Sequence, residues 1–132
     1  MTTGYIIKDQ LMYEVGIWKK EIEKIQQQNA EMKDQMVFLI KNLKGKELLE
    51  SLEKYQTLFI LQDRLIAILR NDVFRQTEMI NNTLQESAQK LKASNLQFQK
   101  KIRKEIALCE KENMIIKEEF EAFVKKTDDH FK

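Results

Sequence analysis

The chain has 132 residues, 33 % of them charged, with three glycines and no proline. Average usage over this length would supply roughly six or seven prolines and about nine glycines, so turn-rich β architectures and glycine-rich phosphate loops lack their material. Lys and Arg number 23 against 21 Asp and Glu, a net charge of +2, which gives no global field to attract nucleic acid or an acidic membrane surface.

The first predicted helix covers about residues 5–44. Leu11, Val15, Trp18, Ile22, Ile25, Asn29, Met32, Met36, Leu39 and Leu43 recur at alternating spacings of four and three, with Asn29 the one polar member. A spacing that averages 3.5 keeps one stripe turned towards a partner helix. Gly45, the only glycine after position 16, is the expected end of this helix, because glycine adopts a positive φ without a Cβ penalty.

The second helix is expected over about 46–81. Its stripe is Leu48, Leu52, Tyr55, Phe59, Gln62, Ile66, Leu69, Val73, Gln76 and Ile80. So short a connection between two long helices implies an antiparallel hairpin. Asn81, Asn82 and Thr83 are poor helix formers, and Thr83-Leu84-Gln85-Glu86 has the spacing of a capping box, which places the second break there. An uninterrupted helix through this point is the competing reading, and it would leave a long apolar stripe without an intramolecular partner.

The third helix is expected over about 84–127, with the stripe Ala88, Leu91, Asn95, Phe98, Ile102, Ile106, Cys109, Asn113, Ile116, Phe120 and Phe123. Two successive spacings of four at Phe98, Ile102 and Ile106 predict a stutter there, which relaxes a left-handed supercoil. The fold class is therefore all-α, an elongated antiparallel three-helix bundle with coiled-coil-like packing, in one domain spanning 1–132. Folding about Gly45 and Asn82 sets the basic stretch around Lys90, Lys92 and Lys100–Lys104 level with Glu21, Glu23, Asp63 and Asp72. The acidic stretch Glu105–Glu121 then falls level with Lys41, Lys44, Lys46 and Lys54. Complementary placement of this kind disfavours wrong registers.

Little in the chain is equipped for catalysis. His130 is the only histidine and sits in the terminal turn, with Thr127 where a Glu-x-x-His metal motif needs its acid. Asp128-Asp129-His130 offers at most a weak metal site. The single cysteine, Cys109, lies on the core stripe and reads as a small buried apolar residue. No catalytic, cofactor-binding or metal-ligating residue is assigned, and the chain is expected not to be an enzyme. The longest apolar runs, residues 36–40 and 58–61, are far short of the roughly 20 residues needed to span a bilayer. The first ten residues lack the basic start of a secretory signal. A cytoplasmic protein is the simplest expectation, and an exported chain already trimmed of its signal fits the same numbers.

Three features bear on function. Asn29 and Gln62 fall level with one another, so they are expected to share a layer and to contact each other directly or through one water; Asn95 and Asn113 suit similar roles. Lys100, Lys101, Arg103 and Lys104 form the best nucleic-acid candidate, within residues 90–104, but no exposed aromatic residues are interleaved with them for base stacking. A charged face paired with acids on neighbouring helices is the favoured reading. The third feature is a second apolar row on helix 2, Leu58, Leu61, Leu65 and Ile68, which Val37 and Ile40 of helix 1 could extend. Packing against both neighbours is its plain explanation. Its functional explanation is a partner-binding surface, most economically in a homo-oligomer with a dimer favoured. The expected function is thus a non-catalytic interaction or scaffolding bundle. The alternatives are a small helical chaperone or regulator that binds a helix of another protein, and a weak nucleic-acid binder.

Overall fold

The computed structural model describes residues 2–42, 45–82 and 88–131, with side chains described for 8–42, 45, 47–82 and 95–127. Three helices, α1 (Thr2–Asn42), α2 (Lys46–Asn82) and α3 (Ala88–Phe131), contain every described residue except Gly45. They have 41, 37 and 44 residues, or about 56 to 66 Å at 1.5 Å per residue. Each packs against both others.

Cross-helix hydrogen bonds fix the directions. Asn29 and Gln26 of α1 reach Asp63 and Arg70 of α2, so residue numbers run oppositely and the pair is antiparallel. Gln62 and Gln76 of α2 reach Cys109 and Gln99 of α3, again antiparallel. Glu14 and Gln28 of α1 meet Arg103 and Asn113 of α3, which makes α1 and α3 parallel. The molecule is an up-down-up three-helix bundle.

Gly45 marks the first corner with φ +147°, where a side chain would be strained. Its role differs from the expected cap at the end of α1. The Gly45 carbonyl accepts the Leu49 amide at 3.0 Å, so Gly45 opens α2 in the N-cap position. The proposed capping box at Thr83–Glu86 lies outside the described residues, as do Leu43, Lys44 and the side chain of His130.

The core has two apolar clusters. One joins Leu11–Ile25 of α1, Ile66–Ile80 of α2 and Ile102–Cys109 of α3. The other, nearer the Gly45 corner, is built on Met32, Met36, Leu39, Leu52 and the aromatic group Tyr55, Phe59 and Phe120. Phe120 meets Tyr55 and Phe59 edge-on, with both ring centroids at 5.2 Å. Between the clusters each helix contributes one buried amide: Asn29, Gln62 and Asn113.

Two sequence expectations for α3 are corrected. Gln99, not Phe98, occupies the core, fully buried, while Phe98 lies half-buried at the edge. The buried series then runs 95, 99, 102, 106, 109, 113, 116 and 120 in unbroken four–three alternation, and the double four comes later, at Ile116, Phe120 and Val124. Phe98 is accommodated at the edge because Arg75 and Lys101 cover its ring, each at 5.7 Å from the centroid. Gln99 is accommodated inside because its amide is shared among neighbours: it accepts from Gln76 at 2.6 Å and donates to Leu11 O and Glu14.

Candidate functional site: the α2–α3 face

The expected Asn29–Gln62 contact takes a different form. The two amides share a layer, yet Asn29 Nδ2 donates to the Phe59 carbonyl and to Asp63 Oδ1, and Gln62 Oε1 accepts from the Cys109 thiol at 3.6 Å. A short amide on α1 meets the backbone and flanking carboxylate of α2 before it meets the longer Gln62, which turns to α3. Asn113 Nδ2 donates to Gln28 at 2.8 Å. Asn95 is fully buried, and among the described residues neither end of its amide has a hydrogen-bond partner.

The ion pairs also depart from the expected levels. Arg103 takes Glu14 with two bonds of 2.7 Å, rather than Glu21 or Glu23, and its hydrogen bonds hold the Glu14 carboxyl below its ordinary range despite opposing burial. Asp63 pairs with Lys33 of α1. Glu110 faces Glu21, and burial followed by that like charge pushes its carboxyl up. Lys101 lies 3.8 Å from Glu105, one turn on. All four cations in the nucleic-acid candidate are exposed; Lys101 and Arg103 are in ion pairs within the chain, and Lys100 and Lys104 are in none with another described residue.

Cys109 is fully buried. Burial, then the charges of Glu112 and Glu110, push its thiol up to about 11. It stays protonated near neutral pH and is a poor nucleophile. Among the described residues, no helix is long and apolar enough to cross a membrane.

The three grooves between helices differ in chemistry. The α1–α3 groove is lined by Glu21, Lys24, Glu110, Lys117, Glu118 and Glu121 together with Ile25 and Met114, and the α1–α2 groove by Lys19, Glu23 and Arg70 together with Ile22, Val73 and Phe74. The α2–α3 groove, about 380 Å³, is apolar: Leu58, Leu61 and Leu65 line one wall and Ile115 and Ile116 the other, with Lys54, Glu112 and Glu119 at its rim. Leu58 and Leu65 are half-buried against the core, whereas Leu61 and Ile68 are 52 % and 56 % exposed. The second row of α2 therefore serves both purposes, with its inner members closing the core and its outer members facing water.

Val37 and Ile40 are exposed but do not line this groove, so they do not extend it. On α3 the groove-lining Ile115 is 46 % exposed, and Leu108, which like Val37 and Ile40 is outside the groove lining, is 55 % exposed. These two stand seven apart, a spacing that returns a residue to the same side of a helix in a bundle. That spacing was visible in the sequence but was masked by the surrounding charges.

No family model matches the chain, and neither a curated protein nor a solved structure matches it.

Proposed function

We propose that the protein is a non-catalytic interaction or scaffolding bundle that self-associates through its α2–α3 face. The observation that supports this reading is the contrast among the grooves. Two carry charged side chains among their apolar ones, and the third is walled by leucine and isoleucine, with Leu61 and Ile115 about half exposed and Ile68 and Leu108 exposed one heptad beyond them. Apolar surface gains about 25 cal/mol for each Å² withdrawn from water, and contiguous exposed apolar patches commonly mark contact sites. The same groove has the form that takes an amphipathic helix, so a helix of another protein is the competing occupant.

Light scattering at micromolar concentration tests the reading. The wild-type chain is expected to have twice the monomer mass. Leu61→Glu and Ile68→Glu each place a carboxylate within the apolar contact and are expected to weaken association about a hundredfold. Helicity should be unchanged, because both positions are exposed in the single chain. A wild-type monomer throughout, or a dimer indifferent to both substitutions, would overturn it.

A further inference from the structure

We infer that the occupant of the α2–α3 face is a second copy of this chain, docked antiparallel about a twofold axis that passes between Lys111 and Glu112. This rests on the self-association reading and adds direction and register to it.

The argument lies in the order of residues along the outer side of α3. Counted from the point between Lys111 and Glu112, three pairs are equidistant: Lys111 with Glu112, Leu108 with Ile115, and Lys104 with Glu119. An antiparallel twofold brings equidistant residues of the two copies face to face. Cation then meets carboxylate at two levels, each occurring twice by symmetry, and Leu108 of one copy covers Ile115 of the other. All four charged residues are exposed, and none is in an ion pair with another described residue. The other matches on this side are Lys101 with Ala122 and Gln97 with Lys126, which bring no like charges together, and Glu105 with Glu118, which are like-charged; Glu105 is half-buried and turned towards Lys101 on its own helix.

α2 agrees with the same axis. Glu112 and Leu61 line one groove, so the axis crosses α2 close to Leu61. Leu61 then meets Leu61 of the other copy. A twofold parallel to the helices would instead lay α2 over α3 at equal height, which sets Leu61 against the Glu112 carboxylate and desolvates that charge without a partner. The Lys111–Glu112 point also lies near the middle of α3 (Ala88–Phe131), so the two bundles overlap along most of their length.

Charge reversal tests the register separately from self-association. One chain carries Lys104→Glu with Lys111→Glu, and a second carries Glu112→Lys with Glu119→Lys. By sedimentation velocity each alone is expected to dimerise at least tenfold more weakly than wild type. Their equimolar mixture, and a single chain bearing all four changes, are expected to recover wild-type affinity, with circular dichroism confirming unchanged helicity. As a second measurement, a chain with Leu108→Cys and Ile115→Cys should form a disulfide-linked dimer under mild oxidation. A wild-type dimer whose reversed chains associate normally, fail to rescue one another, or give no cross-link overturns the register while self-association stands. A wild-type monomer overturns both.

Discussion

The Gln99 amide is shared among all three helices. It accepts from Gln76 of α2, donates to Leu11 O and Glu14 of α1, and rides on α3 in a fully buried position. An unpaired amide there would cost about 1–3 kcal/mol, so its partners fix the alignment of the helices. Glu14 links this network to Arg103 at the surface. Because the folded state holds the Glu14 carboxyl below its ordinary value of 4.5, the stabilisation is present above that value and disappears as pH falls through the lower, folded one. Glu14→Gln is therefore expected to lower the melting temperature at pH 7, by an amount worth about 1 kcal/mol after solvent screening of the half-exposed Arg103. The deficit should shrink as pH falls below 4.5, which thermal melts over a descending pH series would show. Periodicity was enough to place Cys109, Asn29 and Gln62 inside, since each sits on an apolar stripe. It failed at Phe98 and Gln99, where hydrophobicity favours the phenylalanine. Two cations cover one ring and three polar atoms receive one amide, and such arrangements depend on neighbouring helices.

At the scale of the elements, two glycines in exposed positions have opposite meanings. Gly16 lies within α1, and a Cβ added there meets nothing within 4 Å. Gly16→Ala removes a helix-weakening residue and is expected to stabilise the protein by about 1 kcal/mol. Gly45 is equally unobstructed, but its φ of +147° strains any side chain, so Gly45→Ala is expected to cost about 1–2 kcal/mol. Urea unfolding of both variants checks the pair, and equal signs would contradict the corner geometry. The helices and the first corner were legible because heptad spacing and a lone glycine are local signals. The ion-pair partners were not: counting from the corners misplaces α3 along α1, and Arg103 takes Glu14, seven and nine residues, or about two turns and more, before the expected Glu21 and Glu23. The α2–α3 groove was half legible for a similar reason. Leu61 and Ile68 stand out in a dense apolar segment, whereas Leu108 and Ile115 are scattered among charges and become a surface only once α3 lies beside α2.

For the whole molecule, two apolar clusters separated by a layer of one amide per helix build a bundle with an apolar α2–α3 outer face. The central claim is that this face closes on a second copy lying alongside the first. Small-angle X-ray scattering over a concentration series measures mass and length together. The account predicts a particle of twice the 15.8 kDa chain mass, with a maximum dimension of about 70 Å, scarcely longer than α3 itself at 1.5 Å per residue. A particle of one chain's mass at every concentration, or a dimer of nearly doubled length, would contradict it.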